Sequence, residues 1–282
     1  MNKFYIQIVL FLLNISIYMN NKTLATEPTP GNAPKIKSKN RYATSEEIYE
    51  KNKNLLCTNP EEIKNAEKLM NEAVNALKHH ATSNDGYKLY ENRGGRNMSY
   101  YKKKHNDNTD VEKFTYKRSN PNKYNKIVGR LWDPDILNRI DHKSVKRKVA
   151  RVYNPNLIVI QQHYKSGFWS SEKYFYALAA KFDISEDKTI IVMTSADIND
   201  HNSKNKKSYK NTIIESANSF TIEIDSEEDI KKGKLNKAFL NIAGCIVEKK
   251  DKSYFIYSSI CVFFLRLMSM VPFNKNALLE KL

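Results

Sequence analysis

Apolar side chains along this chain recur either at every second position or at every third and fourth, and the two rhythms divide it into strands and helices. The helical rhythm is clearest between Asn59 and His80, where Ile63, Ala66, Leu69, Met70, Ala73, Val74 and Leu77 form one stripe. Asn59 is placed to cap that helix, Pro60 takes its first position, and Glu62 stands three residues past the cap, as a capping-box acid would. A shorter helix is predicted over 45–56, capped by Ser45, with Ile48, Leu55 and Leu56 turned inward. A third follows Asn120-Pro121 and carries Tyr124, Ile127, Val128, Leu131 and Trp132 until Asp133-Pro134 breaks it.

The two-residue rhythm organises the middle of the chain. Residues 157–164, 174–184 and 188–195 are rich in Ile, Val, Phe and Tyr and predict three antiparallel strands joined by turns. In the second of them Tyr174, Tyr176, Leu178, Ala180, Phe182 and Ile184 share one face. Its tyrosines set two hydroxyls on an apolar wall, and each must find a partner in the protein, in water or in a ligand. Weaker strands are predicted at 86–90, 98–103, 111–118, 144–153, 212–225 and 237–247, and the lysine-rich stretch 199–211 is expected to be a solvated loop. Near the end, Ile260, Phe263, Phe264, Leu267, Met268 and Val271 recur at helical spacing with Pro272 beyond them, which predicts a short amphipathic helix. A lid, a core-packed helix, a membrane-surface helix and an altered terminus all stay open for it. As a bilayer span it is too short, and Arg266 sits near its middle.

The ends read differently from the middle. Lys3 followed by an apolar run from Phe4 to Met19, with small residues at Thr23 and Ala25, predicts a secretory signal over 1–25. Pro28, Pro30, Gly31 and Pro34 make 26–41 a flexible linker, leaving 42–271 as the folded domain and 272–282 as a tail.

Charge adds a class of partner. The 282 residues hold Lys+Arg 47 against Asp+Glu 31, a net charge of +16, which suits an anionic surface. The lysines are scattered, and the lysine-rich loop lacks clustered aromatics, so a membrane surface is expected and nucleic acid is not. Cys57, Cys245 and Cys261 are widely spaced and match no metal pattern.

Candidate chemistry is sparse. Ser195 has no flanking glycine to make a nucleophile elbow, and Gly94-Gly95 is an isolated pair in a chain with eight glycines. Adjacent His79 and His80 point about 100° apart on a helix, so they make poor joint metal ligands. No enzyme, metal or cofactor is expected. His163 and Gln161 read either as satisfied polar groups beside the sheet or, inside a tunnel, as ligands for a headgroup phosphate.

Several stretches carry a resemblance. The leader over 1–28, CTNPEEIKNAEKLMNEAV at 57–74, Arg130-Leu131-Trp132-Asp133-Pro134-Asp135, and SVKRKVARVYNPNLIVIQQ at 144–162 resemble the fam-a proteins of rodent malaria parasites, from Met1 to about Tyr254. That family carries a START-like lipid-binding domain. The resemblance implies an α+β helix-grip fold, in which a curved antiparallel sheet surrounds a lipid tunnel, with N-terminal helices and, here, a divergent C-terminal helix. It further implies a monomer that binds and transfers phospholipid, phosphatidylcholine first, and is exported to the parasitophorous vacuole or the infected cell. The wider START pattern Ser/Asn-Arg-Asp-aromatic-Val stands here as Ser171-Glu172-Lys173-Tyr174-Phe175, so the aromatic is kept and the Arg-Asp pair is not. Tyr174 falls on one position of a choline cage, and Gln161 on another where the cage has tryptophan. The lipid-facing set it implies is Tyr174, Tyr176, Leu178, Gln161, His163, Phe182 and Ile191, with Ile260, Phe263, Phe264 and Leu267 as a lid. The competing reading is a secreted scaffold of the same shape without a tunnel, serving as a protein-binding surface.

Overall fold

The computed structural model describes residues 42–93, 98–106, 109–119, 121–136, 138, 145–165, 172–204, 210–250 and 254–264. The expected signal, linker and tail lie outside them. The first helix, α1 (Ser45–Lys51), is capped by Thr44 rather than Ser45: Glu47 N donates to Thr44 Oγ1 at 3.2 Å, and Thr44 N donates to Glu47 Oε2 at 3.0 Å. Ser45 instead donates its hydroxyl to Asn156 Oδ1 at 2.7 Å. The helix ends five residues before the predicted boundary, because the Asn52 side chain donates to Ile48 O and a short 3-10 turn, Lys53–Leu55, follows.

Helix α2 (Pro60–Thr82) forms as predicted, with Asn59 Oδ1 accepting from Glu61 N and Glu62 N at 3.0 and 3.2 Å. Glu62 does not turn back to complete a capping box. Its Oε1 accepts from Arg151 Nη1 at 2.6 Å and from the Tyr153 hydroxyl at 2.7 Å, which ties the helix start to the sheet. Among the described residues the other α-helices are α3 (Tyr124–Trp132) and a single turn, α4 (Glu228–Lys231).

Among the described residues twelve strands follow one another: β1 (Lys88–Arg93), β2 (Met98–Asn106), β3 (Thr109–Ser119), β4 (Val145–Asn154), β5 (Leu157–Tyr164), β6 (Lys173–Ser185), β7 (Lys188–Thr194), β8 (Asp197–Asn199), β9 (Thr221–Glu223), β10 (Asn236–Lys237), β11 (Phe239–Lys249) and β12 (Tyr254–Phe264). One sheet runs in the order β1-β2-β3-β12-β11-β7-β6-β5-β4, every neighbour antiparallel, with β10 added in parallel to β6. This is the curved antiparallel α+β architecture expected from the sequence. Two predictions fail locally. The stretch 212–225 contains only the short β9, paired in parallel with β8, and a 3-10 turn, Glu215–Asn218. The loop at 199–211 is not uniformly solvated, since Asp200, Asn202 and Asn211 are buried.

The end of the chain departs furthest from expectation. Ile260, Phe263 and Phe264, expected on a helical lid, lie on β12, where they pair with Gly244, Leu240 and Phe239 of β11. Leu267 and the rest of the expected helix lie outside the described residues. The physical reason is that Phe255–Phe264 is nearly continuous in apolar, β-branched and aromatic residues, so it satisfies both rhythms at once. Two open ladders, β3 and β11, then decide for the strand.

Both faces of the central sheet are covered. On one, Tyr153, Leu157, Val159, Tyr174, Tyr176, Leu178, Ile190, Val192, Ile242 and Ile246 pack against Ala66, Leu69, Met70, Ala73, Val74 and Leu77 of α2. On the other, Ile158, Ile160, Phe175, Ala177, Ala179, Ile191, Ala243, Cys245 and Val247 form one cluster with Tyr124, Ile127, Val128 and Trp132 of α3. Strands buried on both sides read as unbroken apolar runs, which is why the sequence alone does not say which face does what. Gly244 marks the tightest approach of α2. A Cβ there would lie 2.9 Å from Leu77 Cδ2 and 2.9 Å from Val192 Cα, and closer still to the Ile191 carbonyl oxygen.

Candidate functional site

The seven residues expected to face lipid do not line one surface. Tyr174, Tyr176 and Leu178 are buried in the cluster under α2, and Phe182 packs at its edge. Ile191 belongs to the cluster on the α3 side. Tyr174, Tyr176, Leu178 and Ala180 share one face of β6, and that face is the one the helix fills, while Ile184, expected on it, is exposed. Both tyrosine hydroxyls find protein partners. Tyr174, with 0% of its surface exposed, donates to Asp200 Oδ2 at 2.8 Å and accepts from Asn202 Nδ2 at 2.8 Å. Tyr176 donates to Gln161 Oε1 at 2.9 Å and lies 3.2 Å from Ser226 Oγ.

These contacts belong to a longer chain of polar groups. Gln161 Nε2 donates to Glu227 Oε2 at 3.1 Å and touches His163 Nε2, and His163 lies 3.4 Å from Glu227 and 3.7 Å from Glu172. Burial lowers the His163 pKa, against the pull of Glu227 and Glu172. Further along, Asp200 pairs with Lys237 Nζ at 2.9 Å, with only 2% and 5% of the two side chains exposed. Lys237 also donates to Ile198 O at 2.6 Å. Gln161 and His163 are thus satisfied polar groups beside the sheet, the first of the two readings given above. Their network locks the β8–β9 region and α4 over the start of β6.

The α3 face is built differently. Along β6 its floor is Phe175, Ala177 and Ala179, and along β11 it is Leu240, Ala243, Cys245 and Val247, flanked by Ile158 and Ile160 of β5 and Ile191 of β7. At one end of this floor, Val145, Arg147 and Val149 alternate toward the same side on β4, and Arg147 pairs across with Gln162. The guanidinium gives two hydrogen bonds to a single acceptor, Gln162 Oε1, at 2.9 Å from Nε and 2.6 Å from Nη2. Among the described residues it meets no carboxylate. Desolvation pulls its pKa down to about 10, although the residue as a whole keeps some accessible surface. Asn138 fixes the backbone here, accepting from Arg147 N and donating to Arg147 O, each at 2.6 Å.

At the other end the floor leads to a cavity of about 830 Å³ between the segment before α1, helix α3 and the β6–β7 hairpin. Tyr42, Tyr124, Val128 and Trp132 give it apolar walls, and Lys181, Asp183 and Glu186 stand at its edge. A chain of hydroxyls crosses it, from Tyr124 to Thr189 Oγ1 at 2.9 Å and from Thr189 to Asp183 Oδ1 at 2.8 Å. The Trp132 indole N–H is buried with no hydrogen-bond acceptor among the described residues. The sequence held one signal for Trp132, its place on the helical stripe. It held none for Arg147, which reads as one more basic residue in Lys146-Arg147-Lys148.

Ser195, Asp200 and His201 each have protein partners. The Ser195 hydroxyl donates to Tyr176 O at 2.6 Å and accepts from Leu240 N at 3.0 Å, Asp200 is held by Lys237, and His201 lies 3.4 Å from Glu223. Among the described residues no cluster of three His, Cys, Asp or Glu is arranged to hold a metal ion, and no helix is long and apolar enough to cross a membrane.

No family model matches the chain, and no curated protein matches it. Solved structures do. Human StAR-related lipid transfer protein 5 aligns over 77% of this chain and 88% of its own, at 12% identity and a TM-score of 0.49. Human STARD10 aligns over 67% of this chain and 65% of its own, at 10% identity and 0.47, so the match spans just under two thirds of that protein's chain. The lipid transfer and protein localization domain of human StarD13 aligns over 68% and 81%, at 14% identity and 0.44.

Proposed function

We propose that this protein is a START-like lipid carrier, and that the acyl chains lie on the α3 face of the sheet rather than behind Tyr174. One observation carries the reading: the face that holds Phe175, Ala177, Ala179, Ala243 and Cys245 runs from the half-buried Arg147 guanidinium at one end to a cavity with apolar walls at the other. From Phe175 to Asp183 is eight residues of extended chain, about 26 Å at about 3.3 Å each. One leaflet of a bilayer core is about 15 Å deep, so that path has length for an acyl chain and a headgroup. The cavity of about 830 Å³ falls within the range typical of ligand sites, about 300–1,000 Å³.

The energetics point to a membrane-bound exchange step. Each buried CH₂ is worth about 0.8 kcal/mol, so a two-chain lipid leaves for water only very slowly. The net charge of +16 supports docking to an anionic leaflet, where each nearby lysine contributes about 1 kcal/mol. The sequence resemblance supports membership of the fam-a family, phosphatidylcholine as a ligand, and a secreted chain exported toward the infected cell. A tunnel-free scaffold is the second reading, favoured by the closed packing of Tyr174 and Tyr176 under α2. The deciding experiment incubates the purified mature chain with labelled liposomes and measures co-purifying lipid by mass spectrometry and transfer between vesicles. Bound lipid with transfer supports the carrier; a chain that stays empty and moves nothing leaves the scaffold.

A further inference from the structure

The cavity between the segment before α1, helix α3 and the β6–β7 hairpin differs in charge from the chain as a whole. The chain carries +16, yet this lining holds three carboxylates, Glu46, Asp183 and Glu186, against two amines, Lys126 and Lys181. Lys181 is taken up by Asp183 at 3.2 Å, whereas Glu46 and Glu186 are exposed and form no ion pair with a described residue. Behind this acidic rim the walls are apolar. Such an opening favours an occupant that brings cations to the rim.

The chain itself supplies one. Tyr42 and Ala43 are part of the lining, so the residues before them leave from the cavity wall. Those residues, Lys35-Ile36-Lys37-Ser38-Lys39-Asn40-Arg41, hold four cations and no acid. A sphere of about 830 Å³ is about 12 Å across, and four residues of extended chain cover about 13 Å, so seven residues reach from Tyr42 to the hairpin with length to spare. Attachment at Tyr42 also keeps the segment beside the rim at an effective concentration on the order of millimolar, where weak contacts suffice.

We infer that residues 35–41 dock across the mouth of this cavity, their cations against Glu186, Asp183 and Glu46, as a strap that competes with lipid for entry. The competition rests on the carrier reading above; the docking does not. Exposed ion pairs weaken with salt, and an anionic leaflet offers the same cations a second surface, so the strap is released where lipid is exchanged.

The test treats the purified mature chain at low ionic strength with a carbodiimide, which joins carboxylates to amines in contact, and maps the links by mass spectrometry. Links from Lys35, Lys37 or Lys39 to Glu46, Asp183 or Glu186 are expected, and they should fall at least about fivefold in about 0.5 M salt, where charges are screened within about 4 Å. Glu46→Lys with Glu186→Lys, both on exposed positions, is expected to lose the links and to take labelled phosphatidylcholine from neutral vesicles about threefold faster, as for a mouth otherwise open about a third of the time. Adding Lys35→Glu, Lys37→Glu, Lys39→Glu and Arg41→Glu to that variant should restore the wild-type rate, and vesicles with an anionic leaflet should erase the difference between wild type and the Glu46→Lys, Glu186→Lys variant. Wild type that forms no link between 35–41 and the rim overturns the strap. Links between heavy and light chains in an isotope-mixed sample also overturn it, since a second copy would then supply the segment. Links with no change in uptake overturn the competition. A chain that takes up no lipid overturns the carrier reading, and the links then decide the docking alone.

Discussion

Lys237 and Asp200 offer the sharpest test of how the polar network holds the domain. Both side chains are almost fully enclosed, 2.9 Å apart, and Asp200 also accepts the Tyr174 hydroxyl. Changing Asp200→Asn leaves a buried ammonium with only carbonyl acceptors, and changing Lys237→Met leaves a buried carboxylate with only the Tyr174 hydroxyl and the Asn202 amide. Breaking one side of such a pair costs about 3–5 kcal/mol, whereas replacing both partners costs far less. For a domain of this size about 1 kcal/mol moves Tm by about 2–4 °C, so each single variant is expected to melt about 6–20 °C lower. Urea unfolding followed by circular dichroism gives the same quantity as a shift in midpoint at constant slope. The double variant Asp200→Asn with Lys237→Met should recover at least half of the loss of the worse single. Single variants that each cost under about 1 kcal/mol, the value of an exposed pair, would refute the reasoning, as would losses that simply add.

Three further outcomes are expected. Gly244→Ala drives a methyl into the Ile191 carbonyl and Leu77, and the overpacking should cost about 1–3 kcal/mol by urea unfolding. His80 Nδ1 lies 3.0 Å from the Tyr87 hydroxyl; burial, with His79, His105, Lys103 and Lys113 adding to it, lowers its pKa from 6.5 to about 4. Above pH 6.5 it is neutral folded or unfolded; between 6.5 and 4 only the unfolded chain takes the proton. Stability should therefore fall as pH drops through that window, and Tm against pH should flatten there in His80→Asn. Glu112 behaves oppositely: burial raises its pKa from 4.5 to about 7, with Asp110 adding and Lys102 opposing. The fold keeps a proton that the unfolded chain releases from pH 4.5 upward, so stability should fall as pH rises to 7, and Glu112→Gln should remove that slope.

The parts legible in the sequence are those that local chemistry decides. Asn59, Pro60 and the stripe from Ile63 to Leu77 fix α2 within one segment, and alternating aromatics with short polar turns fix β5, β6 and β7. What stayed hidden depends on partners far away. The face carrying Tyr174 is apolar, and so is the face carrying Phe175, so only the docking of α2 tells which is filled. Residues 254–264 fit a helix and a strand alike, and the choice is made by β3 and β11, which border them on either side. Arg147 looks like a surface cation until the hairpin register sets it opposite Gln162. The Asp200–Lys237 pair joins a stretch that reads as a solvated loop to a strand whose importance no composition signals.

Strand β12 has a further consequence, for how the protein is made. It lies between β3 and β11, so the meander β1-β2-β3 joins the rest of the sheet through residues 254–264. During synthesis the first three strands leave the ribosome long before the piece that seats them, and nothing emerging in between can close the sheet. The nascent chain must wait, its ladder edge on β3 open to other chains, until residues 254–264 are out. A truncation that removes residues 254–264 should therefore cut the sheet in two.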